Sequence, residues 1–429
     1  MIQRKQTAIM GCLLITGLLW LCSCGGPASD SASGTAAETG AEPGISDTGQ
    51  FIETSAKQLT EIGAGQPLEA ESTQDGEETG KSVIDLDHPI RHMKTEYAEN
   101  FSVDYYDGGY KLLSTMDGTR ILTVPEGEEE PDGLPEDVIV LKQPVNNIYL
   151  VSSSVMDTFR ELGALDTIRF SAQKEENWYV PEAREAMERG DIVYAGKYSS
   201  PDYEQIVSGK CSLAIENGMI LHCPEVKEML ENFGIPVMIE YSSYESHPLG
   251  RVEWIKYFGA LTDREEEAEQ AFQKQTEILN QVTAKGKTDK TAAFFYVTSN
   301  GLIQVRQSSD YIPKMIELAG GRYIFDNLGD PDSKRSSISM QVEEFYSGAK
   351  DADFLIYNST IDGELKSVQE LLEKCPVLSD FKAVKEENVW CTTNDMYQQS
   401  MSIGYMIEDM SHMFRGDGDE TMRYLYRLK

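Results

Sequence analysis

Glu204-Gln205-Ile206-Val207-Ser208-Gly209 leads into the apolar run Leu213 to Ile215, and Glu343-Glu344-Phe345-Tyr346-Ser347-Gly348 leads into Phe354 to Tyr357. Each segment reads as a short helix that begins on a carboxylate and feeds a buried strand. The helix dipole favours an acid at that position, so capping alone accounts for either Glu taken singly. The recurrence of the arrangement in the two halves of one chain carries more weight, because it points to two α/β units built alike.

Outward from these segments, short β-rich runs alternate with amphipathic ones. Before Glu204 they are Asn147 to Val151, Ser154 to Leu162, Thr167 to Phe170, Ala183 to Arg189 and Ile192 to Tyr194; after it come Pro224 to Phe233 and Val237 to Ile239. A second set starts at Thr291 to Val297 and closes with a helix near Ser400 to Phe414. Alternation of this kind predicts largely parallel sheets flanked by helices. Between the sets, Pro248 to Phe258 reads as a helix with Pro in its first turn and Gly259 as its stop. Thr262-Asp263-Arg264-Glu265 reads as a capping box opening a second helix that runs to Lys285-Gly286-Lys287. About 22 residues at ~1.5 Å each would span roughly 33 Å, enough to join two lobes.

Upstream, Tyr105 to Pro125 predicts an edge hairpin around Asp107-Gly108-Gly109 and Asp117-Gly118. Gly25 to Gly80 holds eleven acidic residues, one base (Lys57) and one aromatic (Phe51), too little apolar surface to offset backbone ordering entropy. It reads as an extended acidic tether. Ala8 to Leu21 is apolar, follows Arg4 and Lys5, and ends in Leu21-Cys22-Ser23-Cys24. That is the pattern of a secretory leader and is shorter than the ~20 residues of a spanning helix. The expected division is a leader over 1–23, tether 24–80, N-terminal extension 81–137, N-terminal lobe 138–258, connecting helix 259–286 and C-terminal lobe 287–429.

The 429 residues contain 38 Lys and Arg against 72 Asp and Glu, a net charge of −34. Removing Arg4 and Lys5 with the leader makes it 36 − 72 = −36. Nucleic acid is excluded as a partner, since phosphate contacts need clustered bases. Cys211, Cys223, Cys375 and Cys391 show no two-residue spacing of a zinc or redox motif and read as free buried thiols. The five His are scattered; His222 and His247 are the one pair inside the N-terminal half, short of the ligand set a metal receptor needs, so no metal site is assigned.

The Leu21-Cys22-Ser23-Cys24 stretch resembles a bacterial lipobox, which implies cleavage after Ser23 and acylation of Cys24. With the tether, the two halves, the long helix and the paired Glu segments, the chain resembles the iron-siderophore and cobalamin class of ABC-transporter substrate-binding proteins. Tyr244-Glu245-Ser246-His247-Pro248-Leu249-Gly250-Arg251-Val252-Glu253-Trp254-Ile255-Lys256 and Ala195-Gly196-Lys197-Tyr198-Ser199-Ser200-Pro201-Asp202-Tyr203-Glu204 are similar to stretches of its lipoprotein members. The resemblance covers Val138 to the C-terminus. It implies a class III periplasmic-binding-protein fold: two Rossmann-like lobes with mainly parallel sheets joined by one long backbone helix. It also implies a binding protein rather than an enzyme, lipid-anchored on the extracytoplasmic face of the cell membrane. Its partners would be an ABC permease dimer with its ATPase, and its cargo a ferric siderophore, haem or corrinoid, so iron or cobalt would arrive with the ligand and no cofactor is expected. One Glu per lobe would dock the permease: Glu204 and Glu343, with Glu344 as the alternative to the second.

In open parallel sheets ligands lie beyond the carboxyl ends of the strands, so loops there supply the contacts. Those loops carry Ser152 to Ser154, Trp178 and Tyr179, Lys197 and Tyr198, Asn217, Arg306, Lys334 and Arg335, Asn358, and Asn394 to Gln398. Aromatic faces and Arg suit a large planar or anionic chelate. Trp178, Tyr179, Tyr198, Arg306 and Tyr397 are therefore the expected ligand contacts. Trp254, Tyr296 and Trp390 read as core, and the Met396, Met401, Met406, Met410, Met413 series as a buried helical face. The competing reading is a secreted lipoprotein hydrolase with a carboxylate pair in the cleft; Gly-x-Ser-x-Gly does not occur.

Overall fold

The computed structural model describes residues 83–330, 335–417 and 421–429. The leader, Cys24, the tether and Lys334 lie outside the described residues. Among the described residues no helix is long and apolar enough to cross a membrane.

The chain first builds a sheet of its own. Strands β1 (Arg91–His92), β2 (Phe101–Tyr105), β3 (Lys111–Thr115), β4 (Arg120–Val124) and β5 (Val138–Lys142) lie in sequence order, antiparallel up to β4 and parallel between β4 and β5. The expected turns are there: Gly108 and Gly109 between β2 and β3, and Gly118 between β3 and β4, all have positive φ. The expected edge hairpin is thus part of a larger separate sheet, and Val138–Lys142 belongs to it rather than to the N-terminal lobe. Alternation explains why it stands apart. Phe101, Val103, Tyr105, Leu113 and Ile121 join the main core, while Tyr106, Leu112, Leu122 and Val124 form a satellite core with Ile84, Leu86 and Leu134.

The N-terminal lobe runs through β6 (Ile148–Leu150), α1 (Ser153–Glu161), β7 (Ile168–Ser171), α2 (Pro181–Glu188), β8 (Val193–Tyr194), the short hairpin β9 (Gly196–Lys197) and β10 (Ser200–Pro201), α3 (Tyr203–Ser208), β11 (Ala214–Glu216), α4 (Pro224–Asn232) and β12 (Val237–Ile239). Its sheet has the order β12-β11-β6-β7-β8, all parallel. The lateral order of the strands reverses between β6 and β11, which makes the ends of β6, β11 and β12 the place where loops diverge and leave a crevice.

Two helices follow, α5 (Pro248–Thr262) and α6 (Glu265–Thr283). Gly259 does not stop α5. A Cβ there would come within 2.7 Å of the Ala268 Cβ, so this glycine lets α5 and α6 touch. The expected capping box is also absent: Thr262 is still helical, donating its hydroxyl to the Phe258 carbonyl at 2.8 Å, and Asp263 takes the left-handed turn at φ 57°. The connecting helix is therefore α6 alone, 19 residues ending at Thr283, and the chain turns away at Gly286 with φ 75°. Three acids in its first turn suit the dipole. Lys111 of the first sheet clamps this elbow, its ammonium 2.6 Å from Asp263, 2.5 Å from Glu265 and 3.1 Å from the Ala260 carbonyl.

The C-terminal lobe contains β13 (Thr291–Val297), β14 (Ile303–Arg306), α7 (Tyr311–Leu318), β15 (Arg322–Tyr323), β16 (Ser337–Met340), α8 (Val342–Ala349), β17 (Phe354–Tyr357), α9 (Val368–Lys374), α10 (Lys382–Lys385), β18 (Val389–Thr392), α11 (Ile403–Arg415) and β19 (Leu425–Arg427). Its sheet has the order β16-β14-β13-β17-β18-β19, parallel at the centre and antiparallel at both margins, with β15 beside β13. Period two decides its faces. Ala292, Phe294, Phe354, Ile356 and Trp390 face the core shared with α5, α6, α7 and α11, while Ala293, Phe295, Leu355, Tyr357 and Cys391 face α8, α9 and α10. Met406, Met410 and Met413 are buried along α11, the apolar helical face that their spacing predicts.

Candidate functional site

A cleft of about 370 Å³ lies between the lobes, within the range of small-molecule sites. The N-terminal lobe lines it from three strand ends: Ser152 to Ser154 after β6, Asn217 to Met219 after β11, and Glu240 with Ser242 to Tyr244 after β12. Arg251, Trp254 and Phe258 of α5 contribute, and the C-terminal lobe adds Phe294 to Tyr296, Gln304 to Arg306, Tyr311, Arg335, Asn358, Met396 and Tyr397.

The polar groups of the N-terminal wall are tightly paired. Glu240, 1 % exposed, accepts the Ser152 hydroxyl at 2.6 Å on one oxygen and both the amide and hydroxyl of Ser242, at 2.9 and 2.5 Å, on the other. With its one hydroxyl proton donated to Glu240, Ser152 accepts from Ser154, whose hydroxyl is 3.2 Å away. Just behind this wall Glu216, the last residue of β11, is fully buried, and neither carboxyl oxygen has a partner among the described residues. Burial pushes its pKa up to about 8, so it is held mainly neutral at pH 7.

On the opposite wall Arg306 closes β14. Its guanidinium hydrogen-bonds the Tyr397 hydroxyl, lies 5.4 Å from that ring's centroid, and pairs with Asp310 at 3.6 Å. Asn358 also donates to the Tyr397 oxygen, at 3.2 Å. Below them Arg251 stacks over Tyr311 at 3.9 Å and donates to the Ser243 carbonyl at 3.2 Å, tying α5 to α7.

Of the expected ligand contacts, Arg306 and Tyr397 therefore face the cleft and touch one another, although Arg306 has an acidic partner four residues on that its β-strand setting had not suggested. Trp178, Tyr179 and Tyr198 do not line the cleft. Trp178 is 1 % exposed and donates its indole N–H to Ser171 at 3.2 Å, so it is core. The backbone of Tyr179 is taken up by Gln398 and Gln399 of the other lobe. Tyr198 sits in the β9–β10 turn and packs against the main core. The cause is sheet order: β7 and β8 occupy the side of the sheet away from β11 and β12, so loops following them miss the crevice. Trp254 and Tyr296 were expected in the core; Trp254 is buried, yet both also line the cleft. Glu240, Arg251 and Tyr311 were not anticipated. The rule about strand ends would have found Glu240, which follows the strand Val237–Ile239 directly.

The two histidines of the N-terminal half do different work. His247 caps α5, accepting the Leu249 amide at 3.1 Å, and stacks on Tyr97 at 4.4 Å, while His222 lies on the cleft. No group of three or more His, Cys, Asp or Glu suited to hold a metal occurs among the described residues. Glu240 is the one carboxylate among the described lining residues, which therefore supply no pair of the kind a glycosidase-type hydrolase uses. The arrangement suits non-covalent retention: aromatic faces, guanidinium groups and hydroxyls around a space that a small ligand would fill.

Glu204 and Glu343 are both exposed and both second residues of their helices, α3 and α8, which lead into β11 and β17. Glu344, one residue on, is exposed as well. Neither Glu204 nor Glu343 caps its helix by a side-chain bond; in α3 that role falls to Asp202, which accepts the Gln205 amide at 3.0 Å.

Comparisons with known proteins agree with this architecture. A family model described as periplasmic binding protein matches residues 148–396. An uncharacterized lipoprotein of Methanocaldococcus jannaschii is 25% identical over 335 residues, covering 71% of this chain and 77% of its own. A periplasmic binding protein of Veillonella parvula superposes with a TM-score of 0.52 at 18% identity, covering 67% of this chain and 97% of that one. A periplasmic heme binding protein of Vibrio cholerae does so with a TM-score of 0.50 at 17% identity, covering 61% and 97%. These two likenesses bear on the fold. The family match, which spans both lobes and the helix between them, sets aside the hydrolase reading: the chain is a member of the periplasmic binding protein family, extracytoplasmic substrate-binding proteins of ABC transporters rather than enzymes.

Proposed function

We propose that the protein is a lipid-anchored receptor, held through acylated Cys24 at the outer face of the cell membrane, that captures a ferric siderophore, haem or corrinoid in the interlobe cleft. Cargo passes to an ABC permease dimer driven by its ATPase, with Glu204 docking one lobe and Glu343 the other. The observation that carries the docking assignment is the shared place of the two residues: each is exposed at the second position of the helix that precedes a central parallel strand, and neither makes a side-chain capping bond there. Two carboxylates so placed would engage both halves of a two-fold partner, giving orientation and electrostatic steering. The guanidinium of Arg306, the Tyr397 ring and the floor of Trp254 and Tyr311 would hold the cargo.

Charge reversal at both sites, Glu204→Arg with Glu343→Arg, is expected to abolish transport of labelled cargo into cells while leaving equilibrium affinity for that cargo within twofold. Unchanged uptake would remove the assignment. Cargo is identified by thermal shift, since a ligand that binds the folded state at a hundred times its Kd adds about 2.7 kcal/mol. Hemin, ferric siderophores of catecholate and hydroxamate type, and cyanocobalamin form the test panel. One of them is expected to raise Tm in a concentration-dependent way, and a panel without any response would count against this cargo class.

A further inference from the structure

The segment Met396 to Met401 belongs to the C-terminal lobe, but its last four residues, Gln398 to Met401, each bond to the N-terminal one. The Gln398 side chain, 6 % exposed, accepts the Tyr179 amide at 2.8 Å and donates to the Asn177 carbonyl at 2.8 Å, so both ends of its carboxamide are used on one stretch of opposing backbone. The Ser400 hydroxyl donates to the Ser154 carbonyl at 2.6 Å, and the Met401 amide to Asp157 at 2.8 Å. Asp157 is itself buried and fixed by Arg160 at 2.6 Å. Met396, Tyr397 and Ser400 line the cleft, and Tyr397 is tied to Arg306 and Asn358 on its own lobe. One short strap thus carries cleft-lining residues and lobe-bridging residues side by side, and Ser400 is both.

The geometry points to Gln398 as the positioning residue of this strap: by holding Asn177 and Tyr179 it fixes the rim where the lobes meet and, with it, the placement of Tyr397 and Ser400 in the cleft. A carboxamide with its acceptor on an amide and its donor on a carbonyl is a geometric match that neither Glu nor Ala reproduces at neutral pH. The importance of the cleft face rests on the binding reading above; the bridge itself does not.

Hydrogen exchange on the full chain tests the idea, because Tyr179 and Met401 each donate an amide to the bridge. Gln398→Ala is expected to speed exchange at both amides at least tenfold, with Phe294 in the central strand β13 of the C-terminal lobe unchanged. Acceleration at Tyr179 alone would overturn the proposal, since Gln398 would then act locally. Ser400→Ala, a milder change at the other side of the strap, is expected to speed Tyr179 several-fold, and an unaltered rate there would also overturn it. Gln398→Glu separates positioning from bulk. Ionised, it sets a second oxygen against the Asn177 carbonyl; protonated, it again offers one acceptor and one donor. Its exchange at Tyr179 and Met401 should match Gln398→Ala at pH 8 and approach the wild-type rate, measured at each pH, as pH falls to 4. Failure to converge would sink the assignment. If the coupling is seen and hemin, the siderophores and cyanocobalamin all fail to bind, the cargo reading falls and the strap stands.

Discussion

Glu253→Ala is expected to lower stability by on the order of 3–5 kcal/mol, the range for removing one partner from a buried charged network. Glu253 is fully buried in α5, and its two oxygens accept the amides of Glu96, Tyr97 and Ala98 at 2.8 to 3.0 Å and pair with Lys256 at 3.1 Å. Beside it Glu245 accepts the amides of Glu99 and Asn100 and the indole N–H of Trp254. Two carboxylates thus seat a continuous stretch of backbone, residues 96 to 100, against the N-terminal lobe. With Ala at 253, three amides and an ammonium lose a buried acceptor, and each unsatisfied group costs about 1–3 kcal/mol. Denaturant unfolding measures the change. Glu253→Gln, which keeps one acceptor oxygen, should fall between, and proteolysis near residues 94–100 should accelerate in the same order. A loss below about 1 kcal/mol would mean that the segment is held by its apolar contacts alone.

The second large effect is an alkaline loss of stability traced to Glu216. Its pKa is raised from the ordinary 4.5 to about 8 because burial penalises the charged form, so between those values the folded chain holds a proton that the unfolded chain has released. Stability from this group is therefore intact below about pH 4.5 and declines as pH rises toward 8. The slope approaches about 1.4 kcal/mol per pH unit, a total on the order of 5 kcal/mol. Glu216→Gln carries no titrating proton and should remove that part of the decline. Asp157 and Asp409 are shifted upward by burial too, with the same sign at lower pH, and both variant and wild type retain them. Guanidinium unfolding at pH 5 and pH 8.5 decides the matter: parallel profiles for the two proteins would show that Glu216 is not buried as a neutral acid.

The stretch Tyr244 to Lys256 carried much of the family resemblance, and its structural work is now visible. Glu245 and Glu253 seat the N-terminal extension, Trp254 lies under the cleft, Arg251 reaches Tyr311, and His247 with Pro248 starts α5. A linear reading cannot assign such roles, because the partners of Glu253 lie about 155 residues away and are backbone amides, which leave no trace in residue identity. The same limit explains Trp178. Its polar setting, Glu175-Glu176-Asn177, describes the neighbours in sequence, while burial is decided by Ser171 and the core beneath the loop.

Local chemistry along the chain was sufficient for several conclusions. Alternating strands and helices in two sets, the turn glycines of the first sheet, the Lys285-Gly286 break, the Met face of α11 and the acids opening α3 and α8 each depend on residues within a few positions of one another. Those interactions are short in range and nearly independent of the rest of the fold. Only the tertiary structure decided that Gly259 marks helix contact rather than a helix end, that Val138–Lys142 completes a separate sheet, and that the cleft lies over β6, β11 and β12 instead of β7 and β8. Each of those outcomes turns on which distant surfaces meet, and that is set by the lateral order of strands and the packing of whole faces, quantities that the spacing of residues along one chain does not contain.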